Sequence, residues 1–191
     1  LSALRTRFGA RIVGALADQH RIPGIDLTVS EGDHFALGRF DFEVIETPGH
    51  TVGHIAFYCA GQAVLFAGDT MFSLGCGRLF EGTPHQMWSS LSKLAALPDE
   101  TKLYCGHEYT LANAKFALRF DATNPALQKR ATEVEALRAR GAFTIPSTIG
   151  LEKATNPFLR AGEPALAQAV GLVGHSAAEV FAALREAKNK G

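Results

Sequence analysis

The sequence predicts an α/β protein: a strand-rich sandwich over residues 1–121 and a helical domain over residues 122–191, with the border near Phe120 to Asn124. Three observations lead there. Short apolar or alternating runs bounded by glycine-containing turns dominate the stretch up to Ala67. Helix-period text dominates from Pro84 onward. The composition, 47% hydrophobic and 20% charged over 191 residues, is that of a globular chain able to bury one core, with room for an appendage.

Leu1 to about Phe8 reads as the end of a helix closed by Gly9. Arg11-Ile12-Val13-Gly14 is a short buried strand, and His20 to Asp26, with Pro23 and Gly24, is a loop. Asp33 to Glu46 forms two strands about a Gly38-Arg39 turn; Phe40 to Ile45 alternates apolar and acidic residues, so one face is buried and the other wet. His54 to Cys59 and Ala63 to Ala67 form a hairpin about Ala60-Gly61-Gln62. Pro84 opens an amphipathic helix to Ala96, and Lys102 to Cys105 is a strand. Helices follow over Thr110 to Phe120 and Pro125 to Arg140, the second stopped by Gly141. Glu163 to Lys190 reads as two helices separated near Gly171 to Gly174, with Ser176 and Glu179 as a capping box.

Lysine and arginine together number 19, as do aspartate and glutamate, so no net charge favours nucleic acid or anionic membrane. No apolar run approaches the roughly 18–20 residues of a membrane helix. Three cysteines without paired spacing argue against a disulfide framework and for a reducing compartment, the cytoplasm.

The most informative stretch is Glu46-Thr47-Pro48-Gly49-His50-Thr51-Val52-Gly53-His54. Asp69 follows in Gly68-Asp69-Thr70, and His107 in Cys105-Gly106-His107-Glu108-Tyr109. Each of His50, Asp69 and His107 comes after a short apolar run and a glycine, the pattern of a ligand at a strand mouth. Two imidazoles and a carboxylate suit zinc, iron or manganese. Taken singly, His50 could be a capping histidine in a tight turn and Asp69 a turn cap. His20, His34, His85 and His175 sit in polar contexts and read as surface residues. Cys76 and Cys105 flank the set but have no base-like histidine neighbour, so packing explains them better than thiol catalysis.

T-P-G-H-T-x-G-H, G-D-T and C-G-H-E-Y in this order resemble the metallo-β-lactamase-fold hydrolases. Within them, Gly75 to Gly82 and Asn156-Pro157-Phe158-Leu159-Arg160 are similar to glyoxalase II, the hydroxyacylglutathione hydrolases. The resemblance runs from about Leu1 to about Lys188. G-D-T alone is weak and T-P-G-H-T is shared across the superfamily; the ordered set with N-P-F-L-R is specific. The family's T-H-x-H-x-D-H motif, which supplies most of its metal ligands, does not occur in these residues. A further N-terminal part is therefore expected in the working protein, and the 191 residues alone are expected to be inactive and to expose apolar sheet surface.

The resemblance implies an αββα sandwich and two divalent metal ions, zinc foremost. His50 would bind one metal, His107 the other, and Asp69 would bridge them and serve catalysis through a metal-bridged hydroxide. It implies hydrolysis of S-D-lactoylglutathione to D-lactate and glutathione, in methylglyoxal detoxification, by a monomer without nucleic-acid or membrane partners. Arg78, Phe80, Tyr109, Arg185 and Lys188 would contact the glutathione moiety; Phe80 stands where some members have tyrosine. Arg185 and Lys188, three apart, share a helix face as joint anion binding requires, although two cations at a solvated helix end would also favour the helix dipole. His54 is implied to be structural. The competing readings are a persulfide dioxygenase of the same fold and a catalytically dead fragment or thiol-binding module.

Overall fold

A computed structural model describes all 191 residues. Helix α1 (Ser2–Phe8) ends at Gly9 in the left-handed region. Strands β1 (Val13–Ala15) and β2 (Leu27–Val29) pair in parallel as a small separate sheet. The main sheet contains β3 (His34–Leu37), β4 (Phe40–Glu46), β5 (Ile55–Cys59), β6 (Val64–Gly68), β9 (Lys102–Cys105) and β10 (Ser147–Thr148), in the order β10-β9-β6-β5-β4-β3. Within this sheet only β6 and β9 pair in parallel. Between them lie a hairpin of β7 (Met71–Phe72) and β8 (Gly75–Cys76) and then helix α2 (Pro84–Ala95). The remainder is helical: α3 (Thr110–Phe120), α4 (Pro125–Ala139), α5 (Ile149–Thr155), α6 (Pro164–Ala169) and α7 (Ala177–Lys190).

The expected elements occur within a few residues of their anticipated bounds, and the Ser176–Glu179 capping box closes the start of α7. Several short elements differ from expectation. Gly75 and Cys76 form the short strand β8 against β7. Strands β2, β7 and β10 and helix α5 also lie outside the sequence expectation. Two-residue strands are too short to show alternation, and α5 spans only seven residues, too few for a helical period to stand out.

One face of the main sheet is covered. Ile45, Ala56, Tyr58, Leu65, Ala67 and Leu103 point to it and pack with Met87, Leu91 and Leu94 of α2 and with Val180, Phe181 and Leu184 of α7. Phe158 and Ile149 join the same 19-residue core, so the C-terminal helices are built onto the sheet. A smaller cluster of Leu74, Ala114, Ala117, Leu127, Ala131 and Val134 binds the α3–α4 pair to the turn of the β7–β8 hairpin. The other sheet face bears a chain of rings: Phe35 stacks on Phe42 and meets Phe57 edge-on, and Phe66 stacks on Tyr104. Phe66 is 44% exposed, so this aromatic face is partly open to solvent.

Phe181 has no exposed surface, whereas Phe143 is 78% exposed. Phe181→Ala should cost about 3–5 kcal/mol by transfer and cavity terms. Phe143→Ala should stay within about 0.5 kcal/mol. Urea unfolding of both variants checks this, and equal losses would contradict the placement of the core.

Candidate active site

Strands β4 and β6 each pair antiparallel with β5, and β9 pairs parallel with β6, so these three strands run in one direction. Their C-terminal ends lie at one edge of the sheet, β9 beside β6 and β4 one strand further on, and the chain leaves them through the loops carrying His50, Asp69 and His107. Asp69 stands between the histidines: Oδ2 is 3.4 Å from His50 Nε2 and Oδ1 is 3.5 Å from His107 Nε2. Two donors about 2.1 Å from one tetrahedral ion lie ~3.4 Å apart, so each pair has the separation of ligands on a shared ion. No group of three donors surrounds one point; the carboxylate instead divides its two oxygens between two imidazoles. The donor set fits a bridged pair of ions and leaves further positions on each to other ligands.

The surroundings prepare these donors. His50 Nδ1 lies 2.8 Å from the Arg78 carbonyl, which can only accept, so Nδ1 carries the proton and Nε2 presents its lone pair. The Asp69 amide donates to His54 Nε2 at 3.0 Å, which puts the His54 proton on Nδ1, between the Thr47 and Thr70 hydroxyls at 2.8 and 2.9 Å. Burial, and then the nearness of His50, lowers the His54 pKa below the ordinary histidine value, in keeping with a neutral acceptor ring. His107 stacks on Tyr109, centroids 4.8 Å apart. A Cβ on Gly106 would overlap the Asp69 carboxylate, and one on Gly77 the Asp69 carbonyl, so both neighbours must be glycine for Asp69 to sit this close.

Across the same cavity lies the last helix. Arg185, 4% exposed, donates from Nη1 to the Cys76 carbonyl at 2.9 Å and lies over the Phe158 ring at 5.2 Å, while its Nε has no partner. It is therefore not a solvated helix end. Lys188 sits 4.7 Å above the Phe116 ring; burial, then repulsion from Arg185, pushes its pKa down to about 8. The cavity is about 600 Å³ and is lined by all eight residues expected at the site: His50, Asp69, Arg78, Phe80, His107, Tyr109, Arg185 and Lys188. Two cationic side chains and a set of two imidazoles with one carboxylate thus face one space.

The sequence model of the metallo-beta-lactamase superfamily matches residues 5–107, and that of the hydroxyacylglutathione hydrolase C-terminus matches residues 108–191. A hydroxyacylglutathione hydrolase of Ruegeria pomeroyi is 54% identical over 189 residues, which are 99% of this chain and 74% of that protein. The chain belongs to the hydroxyacylglutathione hydrolase family. A second family member, from Methylococcus capsulatus, is 51% identical over 97% of this chain and 73% of its own. Among solved structures, ETHE1 from Myxococcus xanthus superposes with a TM-score of 0.65 at 27% identity, over 98% of this chain and 62% of that one. TTHA1623, solved in a di-iron-bound form, gives 0.52 at 26% identity over 83% and 69%. Members of the superfamily bind divalent metal ions, in line with the donor set described above.

Four further residues line the cavity: Phe72, Cys76, Ala112 and Asn113. Phe72 meets the His107 and Tyr109 rings edge-on, and Asn113 donates to the Ser73 carbonyl. Asn113 lies one helical turn beyond Tyr109, a spacing that could have placed it on the same face; nothing local in the sequence marks Phe72. Burial pushes the Cys76 thiol up to about 11, so it is protonated and packed rather than nucleophilic. His20, His34, His85 and His175 are exposed and away from the cavity.

Gly77→Ala should displace Asp69 and reduce metal affinity about tenfold or more while the fold is kept. Metal content after dialysis, read beside the circular dichroism spectrum, checks this. Unchanged metal content in the folded variant would show that the Asp69 backbone need not stay where it lies.

Proposed function

We propose that this protein hydrolyses glutathione thioesters, S-D-lactoylglutathione foremost, to the hydroxy acid and glutathione. The observation that carries the reading is the single cavity with His50, Asp69 and His107 at one end and Arg185 and Lys188 at the other. Divalent ions bound at Asp69, with zinc the metal we favour, supply Lewis acidity and a nucleophile available near neutral pH. His50 and His107 would hold such ions through Nε2, with the Asp69 carboxylate between them. His54, held by Thr47 and Thr70, fixes the Asp69 main chain, and the Arg78 carbonyl fixes the His50 tautomer. No side-chain nucleophile is required, since a thioester carbonyl is electrophilic and its thiolate leaves readily.

The helical tail, residues 122–191, brings the binding charges. Arg185 and Lys188 take a glutathione carboxylate, and the Tyr109 hydroxyl and Arg78 hydrogen-bond to the peptide. Phe80, beside His50 with centroids 5.0 Å apart, contributes an apolar contact and no hydroxyl. We place the reaction in methylglyoxal detoxification in the cytoplasm and expect a monomer; no helix here is long and apolar enough to cross a membrane.

In the metal-loaded enzyme, His50→Ala should lower metal content and reduce thioester hydrolysis by more than the ~10–100-fold that losing an outer partner of a ligand costs. Elemental analysis together with thiol release from S-D-lactoylglutathione reads both. Full metal and full turnover in that variant would remove His50 from the site, and oxygen uptake with glutathione persulfide in place of hydrolysis would refute the reaction itself.

Lys188 carries its charge below about pH 8 and loses it above. An anion held by that charge is bound fully on the acid side and released as pH rises through the pKa. KM for the glutathione thioester should therefore climb above about pH 8, and Lys188→Ala should flatten the climb. A wild-type KM that stays constant from pH 7 to pH 9.5 would argue against the role.

A further inference from the structure

The Asn156-Pro157-Phe158 stretch of the tail lines no part of the cavity, yet Asn156 and, one helical turn earlier, Glu152 form a buried polar pair with many hydrogen bonds. Asn156 and Glu152 both have no exposed surface. The Asn156 amide reaches the Phe72 carbonyl at 3.3 Å, the Gly75 carbonyl at 3.0 Å and Glu152 Oε2 at 2.9 Å, and its Oδ1 accepts from the Phe158 amide at 3.0 Å. Glu152 Oε2 also accepts from the Leu74 amide at 2.7 Å, and Oε1 accepts from the Ser147 hydroxyl at 2.5 Å. One amide and one carboxylate from the tail thereby bond three backbone groups of the β7–β8 hairpin.

That hairpin needs holding and is worth holding. Its turn puts Leu74 at φ 58°, a conformation L side chains adopt reluctantly. Its first strand presents Phe72 to His107 and Tyr109, and its second presents the Cys76 carbonyl to Arg185. A shift of the hairpin would move the Cys76 carbonyl that anchors Arg185 directly, whereas His50, Asp69 and His107 are carried by loops outside β7 and β8 and feel the hairpin only through packing at Phe72 and Gly77.

We infer that Glu152 and Asn156 are positioning residues for substrate affinity, clasping the β7–β8 hairpin so that Arg185 meets the glutathione carboxylate at a set place in the cavity. The inference rests on the proposed function only for the identity of the ligand. Burial raises the Glu152 pKa above the ordinary carboxylate value, so a neutral group of the same shape is a fair replacement. In Glu152→Gln the amide oxygen can accept from Leu74 and Asn156 while the new NH2 donates to Ser147, whereas Glu152→Ala leaves buried donors unpaired.

The test is the calorimetric affinity of the metal-loaded enzyme for S-hexylglutathione, read beside metal content and the kcat and KM for S-D-lactoylglutathione. Glu152→Ala should weaken binding and raise KM about tenfold or more, with metal content kept, and Glu152→Gln should restore wild-type affinity. Ser147→Ala, which removes only one partner of the clasp, should weaken binding a few fold and serves if Glu152→Ala does not fold. Wild-type affinity in a folded but less heat-stable Glu152→Ala or Ser147→Ala would overturn the inference, leaving the clasp a matter of stability alone. Loss of metal with affinity unchanged would overturn it too. Wild-type protein that binds S-hexylglutathione without hydrolysing the thioester counts against the proposed reaction and not against the clasp.

Discussion

The hydrogen bond from the Asp69 amide to His54 Nε2 is the constraint on which the candidate site turns. Asp69 must offer one oxygen to each of two imidazoles, so its main chain has to be fixed before its carboxylate can be. A neutral imidazole does this because its other nitrogen is committed to two threonine hydroxyls, Thr47 from the loop that leads to His50 and Thr70 from the turn that follows Asp69. That one ring ties the ends of β4 and β6 together. Gly77 and Gly106 then allow neighbouring backbone to close around Asp69 at distances no side chain would permit.

The second half of the site is assembled by a different route. Arg185 and Lys188 are more than a hundred residues from His50 along the chain, and the helices between them, α4 apart, contribute to the same core as the sheet. The hairpin of β7 and β8 is the joint: one side touches the His107 and Tyr109 rings, the other accepts a hydrogen bond from Arg185, and Glu152 and Asn156 brace it from behind. Glu108 makes a parallel tie, accepting from the amide and hydroxyl of Thr144 and so linking the His107 loop to the segment beyond α4. Burial is the largest single influence on Glu108 and pushes its pKa up, but the hydrogen bonds from Thr144 and Thr110 together outweigh it and hold the pKa below the ordinary carboxylate value, so this tie is made by a charged acceptor. Buried polar groups that are fully paired in this way restrict the arrangement more than apolar contact does, because each mispairing leaves a desolvated group unsatisfied.

Much of this was legible in the sequence. The strand pairs about Gly38-Arg39 and Gly61, the helices opened by Pro84 and Pro125, and the Ser176 capping box are local patterns, and local patterns survive because period, turn chemistry and capping act within a few residues. The order His50, Asp69, His107 was legible for the same reason: each ligand type follows an apolar run and a glycine. The sequence could also name Arg185 and Lys188 as neighbours on one helix face.

What only the tertiary structure decided lies between residues far apart. The sequence could not tell that Arg185 is buried against Phe158 and anchored on Cys76, that the His54 ring turns its nitrogen to Asp69, or that Phe72 and Asn113 complete the cavity wall. Nor could it show that Glu152 and Asn156, ordinary polar residues in a short helix and the turn after it, are wholly buried and bonded to a hairpin nearly eighty residues earlier. The physical reason is that burial and hydrogen-bond partnership belong to pairs of surfaces. A sequence states which groups are available within each segment; which of them meet is settled when the sheet, the hairpin and the last helix close on one core.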